Sequence, residues 1–130
     1  MIAQGLEKWR AFMSGHDHDA LWAMLDPDVV FESPVVHTPQ RGRDITFKYL
    51  KAADVVLGNP DFKYVGEWRN ETSAILEFET VLDGITVNGI DMITWNAAGL
   101  ISNFKVMVRP LKAINVVHQQ MGAELMKKAG

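Results

Sequence analysis

Residues 72–82 and 85–95 are two long runs that alternate apolar and polar side chains on either side of Asp83-Gly84. In the first run Ala74, Leu76, Phe78 and Leu82 fall opposite Glu77 and Glu79; in the second, Ile85, Val87, Ile93 and Trp95 fall opposite Thr86, Asn88 and Thr94. A repeat of two belongs to a β-strand with one face buried. A tight turn whose twist matches its strands needs positive φ, which Gly84 tolerates, so the two runs read as one long antiparallel hairpin.

The spacing of apolar residues places the other elements around this hairpin. Ile2, Leu6, Trp9 and Met13 recur at helical intervals with Phe12 beside them, which predicts an amphipathic helix ending near Ser14-Gly15 with Trp9 facing inward. Asp17 or His18 opens a second helix carrying Ala20, Leu21, Met24 and Leu25, and Asp26-Pro27 stops it. From Asp28 the period is two, with Val29, Phe31 and Ser33 on one face until Pro34, whose missing N–H suits a strand end. After the HTPQRG loop a third helix carries Ile45, Tyr49, Ala52, Ala53 and Val56, has Asp44 in its first turn, and closes at Leu57-Gly58-Asn59-Pro60.

Phe62, Tyr64 and Trp68 then alternate against Lys63, Glu67 and Arg69 in a further strand. A turn at residues 96–99 leads to a last strand with Leu100, Phe104, Val106 and Val108 on one face. Pro110 takes the first position of a final helix bearing Leu111, Ile114, Val117, Met121 and Leu125. This order predicts one α+β domain over residues 1–130, with helices on one face of a curved antiparallel sheet that wraps a concavity.

Composition narrows the function classes. At 48% hydrophobic over 130 residues, the chain carries enough apolar material for one core. Sixteen acidic against 13 basic side chains give a net charge of -3 with no basic cluster, so nucleic acid is not an expected partner. The absence of cysteine excludes disulfides, thiolate metal sites and Cys nucleophiles, and is compatible with a reducing cytoplasm. No apolar run approaches the roughly 20 residues that cross a bilayer, and MIAQGLEKWR has no signal-like n- and h-regions. The expected location is cytoplasmic, with no membrane partner. No phosphate-binding glycine pattern or dinucleotide fingerprint is present, and no cofactor is expected.

Asp91 is the candidate that alternation singles out, because its carboxyl shares the face of Val87, Ile93 and Trp95. A carboxyl in apolar surroundings holds its proton more tightly and, as the neutral acid, can donate a hydrogen bond to a developing oxyanion. The alternatives are a bulge at Gly89 that turns Asp91 to solvent, or a carboxyl that bonds a neighbouring donor. His37, in the loop after the first strand, is the candidate proton-transfer group, since an imidazole titrates near neutrality; its alternative is a solvated loop residue. His16 and His18 flank a helix start beside Asp17 and Asp19, but adjacent residues there diverge, and no metal site is assigned. His118 in the final helix reads as exposed or packed. Ser33 lacks a legible His and Asp arrangement and reads as a polar contact in a pocket wall. Trp9, Phe12, Phe31, Tyr49, Phe78, Trp95 and Phe104 lie on predicted inward faces; they form core, or line a pocket where the sheet curves away from the helices.

The order of elements, together with LWAMLDPDVVFESPVVHTPQRGRDITFKYL and IDMITWNAAGLISNFKVMVRPLKAI, resembles the nuclear transport factor 2-like superfamily and its SnoaL-like branch over nearly the whole chain. The shared features are a helix followed by a D-P-D-V-V-F strand, a G-R-D-I helix opening, and a final strand running into Arg109-Pro110-Leu111. The resemblance implies an α+β cone with a strongly bent sheet around a mostly apolar pocket, and a homodimer formed through the sheet's outer face. Ketosteroid isomerases belong to the same superfamily. Their pattern of a first-helix Tyr, a strand-end Asp before Pro, and an Asp in I-D-V-M matches here at Asp91 in Ile90-Asp91-Met92. Trp9 stands in place of the Tyr, and Ser33 in place of the base Asp. A serine hydroxyl does not shuttle an α-proton near neutral pH as a carboxylate does, so the resemblance implies the pocket more firmly than the steroid isomerase mechanism.

The expectation is therefore a SnoaL-like, polyketide cyclase-like homodimer that holds a small, largely apolar molecule, with acid/base isomerase, cyclase or hydrolase chemistry through Asp91 and His37. A non-catalytic ligand-binding module or a protein-interaction module is the alternative, because the fold serves all of these.

Overall fold

The hairpin around Asp83-Gly84 lies inside the sheet, with a strand paired on each side of it. Strands β4 (Ser73–Leu82) and β5 (Ile85–Trp95) pair without interruption from Ser73↔Thr94 to Leu82↔Ile85, and both turn residues have positive φ. The structure is a computed structural model and describes residues 2–127. In chain order the remaining elements are helices α1 (Ile2–Gly15) and α2 (His18–Ala23), strands β1 (Leu25–Glu32) and β2 (Gln40–Arg41), and helix α3 (Arg43–Leu57). Strand β3 (Lys63–Arg69) precedes the hairpin, while β6 (Ile101–Arg109) and helix α4 (Leu111–Lys127) follow it.

The six strands form one sheet in the order β2-β1-β6-β5-β4-β3, antiparallel except for the parallel pair β1 and β6. The architecture is the expected α+β cone, a curved, unclosed sheet with four helices. Leu76 on β4, Val87 and Ile93 on β5 and Ile101 on β6 are fully enclosed, as are Leu21, Leu25 and Val29, so the inner face of the sheet carries the core. At about 25 cal/mol per Å² of apolar area removed from water, this burial is the main force holding helices to sheet. Gly89 serves packing directly, because a Cβ there would collide with the Phe78 ring and the Met107 carbonyl.

Three bulges change which side chains face inward. Tyr64 pairs with Phe78 but Gly66 pairs with Glu77, so Val65 is the extra residue and the face of β3 reverses beyond it. Trp68, expected inward with Phe62 and Tyr64, instead points outward and is 57% exposed. On β6, Thr94 pairs with Asn103 while Trp95 pairs with Ile101, which leaves Ser102 as the extra residue. Ile101 is consequently buried in the place expected for Leu100, while Phe104 and Val106 keep their inward positions. In β1, pairing with β6 jumps between Leu25 and Val30, which accommodates Pro27 inside a strand that starts earlier than the predicted Asp28.

The helix boundaries also have local causes. The Asp17 carboxylate accepts hydrogen bonds from the Asp19 and Ala20 N–H groups at the start of α2. Pro110 lies one residue outside α4 rather than in its first position, and its carbonyl accepts from the N–H groups of Ala113 and Ile114. Among the described residues no helix is long and apolar enough to cross a membrane.

Candidate functional site

Asp91 sits near the middle of β5, and the unbroken pairing on both sides fixes its side chain on the inner face. It is buried, 7% exposed, in an otherwise apolar neighbourhood. Tyr64 reaches it from β3: Tyr64 Oη donates to Asp91 Oδ2 at 2.6 Å, and Trp9 Nε1 on α1 donates to the same phenol oxygen at 2.9 Å. The three groups form a directed chain, indole to phenol to carboxyl, with Arg10 lying over the Tyr64 ring 5.5 Å from its centroid. Desolvation raises the Asp91 pKa to about 7 against the lowering effect of the Tyr64 hydrogen bond. Desolvation, reinforced by the neighbouring Asp91, also holds the Tyr64 phenol well above its ordinary value. Near neutrality Asp91 is therefore a carboxylic acid for part of the time, able to donate from the oxygen that Tyr64 does not occupy.

Two adjacent hollows lie in this part of the molecule, and Asp91 lines one of them. The inner one, about 40 Å³, is lined by Trp9, Phe12, Phe104, Asp54 and Asp91 with aliphatic neighbours. The outer one, about 190 Å³, lies between α3, α4 and the end of β1, with Phe31, Ser33, Val35, Tyr49, Val117 and Met121 in its wall. Ala53, Leu57 and Val106 belong to both, so the two are neighbouring compartments that share a wall. Of the aromatics expected to line a pocket, Trp9, Phe12 and Phe104 line the inner compartment, and Phe31 and Tyr49 the outer. Phe78 and Trp95 line neither. Phe78 stacks on Phe62 with ring centroids 5.3 Å apart, and Trp95 packs against Gly5 in the core.

The polar candidates separate. Ser33 lines the outer compartment, and its Oγ accepts from the Val35 and Val36 N–H groups at 3.0 and 3.4 Å, which shapes the loop at the mouth. His37 follows Val36 in that loop, is exposed, and lines neither compartment. The histidine in the outer wall is His118, on α4.

Two features escaped sequence reasoning. Tyr64 was visible only as one inward residue of a strand, because its partner Asp91 lies two strands away. His16 and His18 do converge, on Asp54 of α3: His16 Nδ1 lies 2.7 Å from Oδ1, and His18 Nε2 lies 3.3 Å from Oδ2. No short-range pattern signals an aspartate so far along the chain. Among the described residues no group of three His, Cys, Asp or Glu side chains is placed to hold a metal ion.

No protein-family model and no curated protein matches this chain. Solved structures do. A steroid delta-isomerase from Pseudomonas aeruginosa is 31% identical with a TM-score of 0.92, the match covering 98% of this chain and 93% of that one. A conserved bacterial protein with a cystatin-like fold from Silicibacter pomeroyi DSS-3 is 27% identical with a TM-score of 0.88, over 96% and 87% of the two chains. A nuclear transport factor 2-like protein from Mesorhizobium loti, at 18% identity and a TM-score of 0.71 over 83% and 90% of the chains, shares the fold. With the cone architecture and near-complete overlap of a relative above 30% identity, the chain belongs to the nuclear transport factor 2-like superfamily.

Proposed function

We propose that this chain binds a small, largely apolar molecule carrying a carbonyl or comparable acceptor oxygen, held with that oxygen on Asp91 and its apolar body along Phe31, Tyr49 and Val117. The observation that carries this reading is the position of Asp91, a buried carboxyl in the wall of the inner compartment, with one oxygen engaged by Tyr64. An acceptor oxygen on the protonated Asp91 exchanges a hydrogen bond to water for one in a low-dielectric site, where charge developing on that oxygen is stabilised most. The likeness to a steroid delta-isomerase supports an apolar carbonyl compound as the ligand class.

On this reading the chain is an acid/base catalyst of the isomerase or cyclase kind, with Asp91 as the electrophilic donor. His37 was expected to move the proton, yet it stands exposed outside both compartments, so the reading rests on Asp91. The second reading, a binding module without turnover, is favoured by Ser33. By the sequence resemblance that hydroxyl stands where ketosteroid isomerases carry their base, and it accepts from two backbone N–H groups.

The protein is also proposed to pair through the outer face of its sheet, where Trp68, Val65, Val81 and Met107 are exposed large apolar side chains. The ligand reading is tested by titrating the protein with 2-tetralone, a bicyclic apolar ketone, while following tryptophan fluorescence. Ala53→Phe, which fills the wall common to both compartments, is expected to weaken binding at least about tenfold, or roughly 1.4 kcal/mol. Equal affinity in wild type and Ala53→Phe rejects the cavity as the site.

A further inference from the structure

The inner compartment has two acidic residues in its wall, and the proposed function uses only Asp91. The other is Asp54, in the last turn of α3, 8% exposed and bracketed by His16 from the connection between α1 and α2 and by His18, the first residue of α2. The two imidazole side chains are 44% and 37% exposed, so the cluster runs from the cavity wall to solvent. His16 adopts a left-handed backbone conformation, φ 57°, directly after Gly15, the residue that would take it at no steric cost. A histidine held in that conformation while its ring meets a buried carboxylate is backbone strain placed at a polar cluster, a pattern that functional sites show. The remaining lining residues of the compartment, Trp9, Phe12, Met13, Leu50, Phe104 and Val106 among them, offer no other ionisable group.

We infer that Asp54, backed by His16 and His18, is the second proton-transfer group of the cavity, taking a proton from the carbon next to a carbonyl held on Asp91 and exchanging it with solvent through the two imidazoles. The inference rests on the proposed ligand reading. In the step, the C–H bond breaks and its electron pair forms the enol C=C bond. The carbonyl π pair moves onto oxygen under the Asp91 hydrogen bond, and the proton goes to a carboxylate oxygen of Asp54. Return of a proton from Asp54 to carbon restores the ketone, and no further reactant enters. His16 and His18 act through Asp54 as positioning residues and proton carriers.

The experiment follows deuterium incorporation from D2O at the α-carbons of 2-tetralone by NMR, above the uncatalysed rate, alongside the dissociation constant of the same ketone. Asp54→Asn is expected to lower the exchange rate at saturation by about a hundredfold, the usual scale of a lost general base, with affinity changed less than about threefold. The double variant H16Q/H18Q, altered at partly exposed positions, is expected to lower the saturated rate at least about tenfold with affinity retained, and Asp54→Glu to restore part of the activity lost in Asp54→Asn. Wild-type exchange that survives in both Asp54→Asn and H16Q/H18Q overturns the assignment while leaving the ligand reading intact. Binding by wild type without catalysed exchange overturns it equally. Absence of ketone binding by wild type overturns the ligand reading, and this inference with it.

Discussion

Tyr64 on β3 donates its hydroxyl to Asp91 on β5 across 2.6 Å, reaching over the whole width of β4. The reach depends on an uninterrupted inner face. Tyr64 pairs with Phe78, Phe78 pairs with Gly89, and Gly89 lies two residues before Asp91 on the same side of β5. Because Gly89 has no side chain, the Phe78 ring can lie across it; Phe78 stacks on Phe62, whose ring meets that of Tyr64 edge-on at 5.0 Å between centroids. The hydrogen bond therefore couples three strands and, through the Trp9 indole, helix α1.

Tyr64→Phe removes the one interaction that opposes the effect of burial on Asp91. The Asp91 carboxyl is expected to titrate above its present value of about 7, because desolvation then acts without compensation. Carboxyl 13C NMR across pH 4–9 reads this directly. A midpoint unchanged or lowered in Tyr64→Phe contradicts the bond's role. Loss of a part-buried hydrogen bond is also expected to cost about 1 kcal/mol of stability.

Asp91 itself makes the fold lose stability as pH rises from 3.8 to about 7. Its folded pKa lies above the ordinary 3.8, so the unfolded chain releases this proton first as pH rises. Below pH 3.8 both states hold the proton and the group has no effect. From there to about pH 7 the folded state is progressively penalised, and above pH 7 the penalty is constant. The separation of the two values corresponds to at most about 4 kcal/mol. Asp91→Asn, which cannot ionise, is expected to gain stability relative to wild type between pH 4 and pH 8 in urea unfolding. A difference between the two proteins that stays flat with pH contradicts a carboxyl buried in this manner.

The difference between what could and could not be read from the chain is a matter of regularity and distance. Asp91 was legible because residues 85–95 alternate without a break and both neighbouring strands pair with them across that position, so period two held. Trp68 and Leu100 were misplaced because one extra residue reverses the alternation, Val65 for the side chains that follow it and Ser102 for those that precede it. Gly66 beside the first bulge was the available signal, since glycine inside a strand pattern marks such irregularities. For the second no comparable residue stands in the strand. The contacts of His16 and His18 with Asp54 join residues 38 and 36 positions apart, a separation that periodicity does not reach. The approach of Tyr64 to Asp91 depends likewise on strand order, which alternation alone leaves open.

The Val65 bulge has a second consequence, on the far side of the sheet. By reversing β3 it turns Trp68 outward, next to Ile75, which pairs in turn with Met92; one strand step away Ile90 pairs with Met107. These side chains form an apolar strip across β3, β4, β5 and β6 on the face opposite the helices, bordered by Glu77 beside Ile90 and Lys105 beside Met92. A strip of this kind left in water favours association, and two copies that cover it remove both strips at once. On the proposed pairing, Trp68→Glu places a charge at the strip's edge without touching the inner face. It is expected to shift the protein from dimer to monomer in sedimentation velocity at micromolar concentration, with the urea midpoint of the isolated monomer close to that of wild type at limiting dilution. A wild-type protein that sediments as a monomer at all concentrations, or a Trp68→Glu variant that dimerises as wild type does, places the contact elsewhere or removes it.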